Sequence, residues 1–225
     1  YTRRAHPSYG DQRIPALEVV RDSIQIMRGC FGGCAFCSIT AHEGRVVQSR
    51  GRASVLAEIE RVAADEDFRG TISNLGGPTA NMYRMGCSRP EVRARCRRLS
   101  CLHPTICMLL VTDHGPLIDL MKAARRQSGV RQVFVASGVR MDLALRSDAY
   151  ISQLARHHVG GHLKVAPEHT DPRVLECMRK PPAEVFEAFA RRFAEASHEA
   201  GRRQYLLPYF IAGHPGCDLG AMIDV

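Results

Sequence analysis

The chain has 225 residues, 45% of them hydrophobic, and a formal net charge of +8. That length and apolar content allow one large α/β domain or two small ones with a sizeable core. The absence of any run of 18 or more apolar residues excludes a transmembrane helix. Lysine occurs only at 122, 164 and 180, so the charge is almost all arginine. Without a block of like charges or an aromatic-interleaved basic stripe, it reads as an arginine-rich solvated surface and only weakly as a nucleic-acid footprint.

Residues 1–22 are polar, carry Pro7, Gly10 and Pro15, and form an approach segment. The chain opens at Tyr1 rather than Met and stops at Val225 soon after a strand, so a fragment of a longer protein is expected. Residues 23–28 alternate and predict a strand. A Gly- and Cys-rich loop follows to Cys37, and Val46-Val47 marks a short extended piece. The pattern of Val55, Leu56, Ile59, Val62 and Ala63 predicts a helix over 53–66. Residues 71–75 form a short strand that ends at Gly76-Gly77-Pro78. Residues 79–113 have little periodicity and constitute an insertion. Helix 116–128 turns Leu117, Leu120, Met121 and Ala124 inward. Strand 132–137, helix 147–157, strand 162–166, helix 182–200 and strand 204–211 complete the series. Phe186, Phe189 and Phe193 form a core stripe on the last helix. The Phe stripe is core rather than a cofactor box, and His157-His158 closes a helix, where His suits the C-terminal dipole.

Alternating β and α segments imply a parallel sheet of about five βα units. In barrels of this kind the chemistry sits at the C-terminal strand ends. Those ends hold the unusual residues here: the Cys loop, Gly-Gly-Pro, Ser137-Gly138-Val139-Arg140, Pro167-Glu168-His169 and His214-Pro215-Gly216. The expected fold is therefore a partial (β/α)6 TIM-type barrel, residues 23–225, with a Cys-rich insertion at 79–113.

There are nine cysteines, and their tight grouping points to metal or cluster ligation in a reducing compartment rather than a disulfide framework. Cys30, Cys34 and Cys37 have the spacing C-x3-C-x2-C. Thiolates suit iron–sulfur clusters, and three of them leave one iron of a cubane without a protein ligand. Gly32 and Gly33 let the backbone wrap closely. The alternative is zinc held by the three cysteines and His42, although zinc sites usually show two separated ligand pairs. Cys87, Cys96, Cys101 and Cys107 form a second group, a candidate structural zinc site or auxiliary iron–sulfur cluster, with Arg93, Arg95, Arg97 and Arg98 favouring thiolates. Its spacing matches neither the usual zinc-ribbon nor the ferredoxin pattern. Cys177 and Cys217 stand apart as small core or surface residues. Arg140, Lys164, His169, Tyr209 and His214 lie near strand ends and are candidates for substrate binding or proton donation. Lys164 stands in an apolar strand, where a charge needs a partner.

The triplet with Phe36 before Cys37 resembles the radical S-adenosylmethionine (SAM) superfamily motif. Longer blocks, among them 27–34, 37–40, 42–45, 75–83, 96–101, 112–114, 136–140, 157–161, 166–170 and 214–216, resemble the YgiQ-type (UPF0313-like) radical SAM proteins across nearly the whole chain. The resemblance implies a cytoplasmic enzyme with a [4Fe–4S] cluster on Cys30, Cys34 and Cys37. Its open iron would bind SAM, and an electron donor such as flavodoxin or ferredoxin would reduce it. Cleavage would yield methionine and a 5′-deoxyadenosyl radical that abstracts hydrogen from an unknown substrate. It also implies SAM contacts from Phe36, Gly76-Gly77-Pro78 and Glu168, with Pro78 standing where the superfamily carries Glu. A sixth strand and flanking domains are expected outside this chain. For Glu168 a helix-dipole role is the rival, and for Gly76-Gly77-Pro78 a plain turn. Two other functions compete: a methylthiotransferase-like tRNA or protein modifier, and a non-catalytic zinc-stabilised binding module.

Overall fold

A computed structural model describes residues 6–10 and 12–225. The part of the approach segment at 1–5 and 11 lies outside them.

The elements run β1 (Ser23–Gln25), β2 (Met27–Arg28), β3 (Gln48–Ser49), β4 (Thr71–Ile72), β5 (Asn74–Gly76), β6 (Gly86–Cys87), β7 (Leu110–Val111), β8 (Gln132–Val133), β9 (His162–Glu168) and β10 (Tyr205–Phe210). The helices are α1 (Pro15–Val20), α2 (Ile39–Glu43), α3 (Arg52–Ala63), α4 (Pro90–Arg95), α5 (Gly115–Arg125), α6 (Met141–Ala144), α7 (Asp148–His157), α8 (Pro172–Met178), α9 (Ala183–Glu199) and α10 (Leu219–Ile223).

The strands that build the site are parallel neighbours in chain order. β1 pairs with β5 through Ile24↔Leu75, and β4 pairs with β8 through Ile72↔Val133. A bridge Val139↔Val165 carries the series to β9, which pairs with β10. Among the described residues no pairing joins β10 back to β1, so the sheet is open. Period-2 alternation decides its two faces. On β9, Leu163, Val165 and Pro167 are buried, while His162 and Lys164 are exposed. Helices α3, α5, α7 and α9 pack consecutively, with α3 against β1 and α5 against β8. Ile24, Ile59, Leu120, Leu154 and Phe189 are wholly buried in the resulting core.

Several sequence expectations need correction. The strand over 23–28 breaks at Ile26, whose N–H bonds the Gly76 carbonyl at 2.8 Å. Met27–Arg28 then pairs antiparallel with Gln48–Ser49, one step beyond the expected Val46-Val47. The strand over 132–137 is shorter than expected: Phe134 still bonds Ile72 O and the Leu75 N–H, but the Ala136 and Ser137 N–H groups go to the Asn74 side-chain oxygen at 2.9 and 3.2 Å. The insertion holds its own small ladder, β6 with β7, and helix α4. Lys164 is exposed, so the desolvation argument for a buried partner does not apply to it.

Candidate functional site

The cysteine loop is fixed by its backbone, which leaves its thiols available. The Cys30 N–H donates to Gly44 O at 3.0 Å, and the Gly29 N–H donates to Glu43 at 2.9 Å. From the insertion, the Ser100 hydroxyl donates to Gly32 O, and the Cys101 N–H donates to Phe31 O at 2.9 Å. From the end of α8, Met178 O accepts the Ala35 N–H at 3.0 Å, and Arg179 donates to Gly33 O at 3.4 Å. Gly33 adopts φ +64°, and a Cβ there would lie 2.1 Å from Leu99 O. Only glycine permits that crossing of loop and insertion.

Cys30 is partly buried, and burial pushes its thiol up, opposed by the Gly32 N–H and Thr79. The Gly32 N–H reaches its sulfur at 3.4 Å, and the Thr79 hydroxyl lies 3.8 Å from it. Cys34 receives an N–H of Arg140 at 3.5 Å. Phe36 is 39% exposed at the lip, where His214 meets it edge-on at 6.1 Å. The sequence thus places Phe36 and His214 apart, and the fold joins them.

The strand ends bring charge behind the loop. Arg140 is buried and forks onto Asp142 with two bonds of 2.9 Å. Burial works against its charge, but Asp142 and then Cys34 outweigh that and hold it above the ordinary arginine value. Lys180, also buried, donates to Ala166 O at 2.6 Å and lies 3.9 Å from Glu168. Burial and Arg140 push Lys180 down; burial pushes Glu168 up against the pull of Lys180 and Arg140. Glu168 has φ +73°, a strained value for a side-chain-bearing residue and a feature that clusters at functional sites. Sequence reasoning missed Lys180, Asp142 and Thr79. Thr79 and Lys180 stand shortly after an element end, and Asp142 in the first turn of α6.

A cleft of about 610 Å³ opens where Gln25, Arg28, Asn74, Gly76 and Gly77 meet. Gly77 has no room for a side chain, since a Cβ would come within 2.8 Å of Met27 O. Gly77 therefore marks a close approach of two backbone segments.

The remaining candidates are scattered. His169 is buried, and its Nδ1 accepts the N–H groups of Thr170 and Asp171, each at 3.0 Å. Its Nε2 therefore carries the proton and faces the Cys217 sulfur at 3.4 Å. Tyr209 and Lys164 are exposed on the open sheet. In the insertion, burial raises the Cys101 thiol, with Cys107 and Cys96 among its charged neighbours. Bonds from the Arg98 backbone and the Arg45 side chain lower Cys96. Cys87 donates to Arg89 O at 3.4 Å. Among the described residues no three His, Cys, Asp or Glu side chains stand close enough together to hold a single metal ion. A cubane is less demanding, because its thiolates bind different irons. All nine cysteines are free. Among the described residues no helix is long and apolar enough to cross a membrane.

Three thiols on a clamped loop, with the buried Arg140 reaching one of them, fit an iron–sulfur site. The sequence profile of the radical SAM superfamily matches residues 24–216, and the chain belongs to that superfamily of enzymes, whose general cofactors are a [4Fe–4S] cluster and SAM. More narrowly, it is 54% identical over 217 residues to a UPF0313 protein of Vibrio vulnificus strain YJ016, covering 96% of this chain and 28% of that protein. A UPF0313 protein of Vibrio cholerae is 52% identical over 226 residues, 100% of this chain and 29% of that protein. One from Bradyrhizobium diazoefficiens is 54% identical over 217 residues, 96% of this chain and 32% of that protein. The chain spans less than a third of the length of these relatives, and their names state no reaction.

Proposed function

We propose that this chain is the catalytic core of a radical SAM enzyme, a partial (β/α)6 barrel whose Cys30, Cys34 and Cys37 hold a [4Fe–4S] cluster. The observation that carries this reading is the loop itself. Its backbone is bonded to α2, the insertion and the end of α8, and the buried Arg140 reaches the Cys34 sulfur at 3.5 Å. When bound and reduced, the cluster would supply the single electron that splits the sulfur–C5′ bond of SAM, which would give methionine and a 5′-deoxyadenosyl radical able to take hydrogen from a substrate.

The chain's own residues bind, orient and exclude water. The Gly76-Gly77-Pro78 backbone would hold the methionine end of SAM. With Pro78 in place of a carboxylate, carbonyl oxygens would serve its amino group. Phe36 would cover the lip, and Glu168 would bind the ribose. Phe31 belongs to the buried core against which Cys30 packs. Cys96, Cys101 and Cys107, with Cys87 nearby in β6, would take an auxiliary iron–sulfur cluster, whose thiolates bind different irons, as a staple for the insertion.

Anaerobic reconstitution of the full-length protein with dithionite and SAM tests the reading. The wild type should form 5′-deoxyadenosine, and Cys34→Ala should abolish it. Wild-type activity in that variant would remove Cys34 from the ligand set. Zinc without iron or acid-labile sulfide would favour the non-catalytic module.

A further inference from the structure

Arg140 is held more firmly than a structural ion pair requires. Its main chain is clamped by Asn81, which is wholly buried. The Arg140 N–H donates to Asn81 Oδ1 at 2.8 Å, and Asn81 Nδ2 donates back to Arg140 O at 2.9 Å. Nε and Nη2 lie on the two Asp142 oxygens at 2.9 Å each. The fork satisfies the ion pair and leaves Nη1 free. That third nitrogen points at Cys34, 3.5 Å from its sulfur. An ideal Cβ on Gly32 would come within 3.3 Å of the same nitrogen, so the loop closes directly over it. Lys180 adds a second buried cation in the same electrostatic neighbourhood, with Arg140 and Cys34 among the charges that act on it.

Hydrogen bonds to ligand sulfur, and nearby charge, set how easily a cluster accepts an electron. Reduction adds one negative charge without making or breaking a bond to the protein. A fixed cation and a donated N–H stabilise that more negative state.

We propose that Arg140 is a positioning residue that acts through Cys34: its N–H and charge favour the reduced cluster and raise its reduction potential. This rests on the reading of the three cysteines as cluster ligands. The electron comes from a low-potential one-electron donor, and the guanidinium stays protonated throughout.

The test is a redox titration followed by electron paramagnetic resonance, on the full-length protein reconstituted anaerobically. Iron and sulfide are counted in each sample. Arg140→Gln should load normally and titrate at a clearly more negative midpoint than wild type. Arg140→Lys, which keeps the charge but loses the planar fork, should fall between them. A fully loaded Arg140→Gln with the wild-type midpoint overturns the proposal and leaves the ligand assignment standing. If Arg140→Gln does not load, Arg140→Lys decides alone: a negative shift supports the role, and a wild-type midpoint overturns it. A wild type that binds no iron or sulfide removes both the proposal and the reading beneath it.

Discussion

Gly33 shows how narrowly the loop is specified at single residues. Its φ of +64° and the Leu99 carbonyl 2.1 Å from where a Cβ would sit leave no space for alanine. Gly33→Ala should cost roughly 2 kcal/mol by combining left-handed strain with displacement of the insertion. Urea unfolding against wild type measures it, and a loss under about 0.5 kcal/mol would contradict the close crossing. The spacing of Cys30, Cys34 and Cys37 is readable in sequence because cluster ligation constrains neighbouring positions. The partners of those cysteines are not. Arg140 lies 106 positions from Cys34, and Lys180 follows an αL residue, Arg179, that ends α8. Only the fold brings such residues to the thiols. Cys217 illustrates the converse: it has no sequence pattern, yet it meets His169.

Among the elements, α7 is tied to β8 by its final residues. His158, wholly buried, donates from Nδ1 to Val133 O at 2.7 Å. Its Nε2 then accepts from Gln153 at 3.1 Å, so both nitrogens are satisfied in the neutral ring. Burial, assisted by Arg125 and His157 and opposed by the Val133 bond, lowers His158 to about 4. Burial also lowers His114 to about 4, against a weaker upward pull from Asp113. Because both folded values lie below the ordinary 6.5, the unfolded chain binds more protons between them. Stability is complete above pH 6.5 and falls as the pH drops toward 4, by about 3 kcal/mol for each histidine. Urea unfolding at several pH values should show this slope, and His158→Asn, which can still donate to Val133 O, should remove part of it. A slope unchanged in that variant would contradict the assignment. Long periodic helices such as α5, α7 and α9 were legible to within a few residues, because an apolar stripe must face the sheet. Short elements were not. The segment after β8 does not continue as strand to Ser137, since a side chain, Asn74, captures the Ala136 and Ser137 N–H groups. α8 escaped notice although Asp171 and Pro172 spell a helix start, with the Asp171 carboxylate accepting two N–H groups there.

For the molecule as a whole, parallel strands in chain order gather distant residues at one end of the sheet, and the cysteine loop occupies that end. Neither the edge strand β10 nor β1 closes the sheet among the described residues, and residues such as Tyr205, Leu207 and Tyr209 stay exposed along β10. The alternation of strands and helices made the α/β class readable. The absence of closure was expected from the count of strands, not from any single residue. The decisive measurement is electron paramagnetic resonance of the anaerobically reconstituted, reduced full-length protein, recorded before and after adding SAM. A signal whose shape changes with SAM is the predicted result, because the sulfonium compound then binds the iron that no cysteine holds. An iron signal indifferent to SAM, or none at all, would contradict a SAM-binding cluster on this loop.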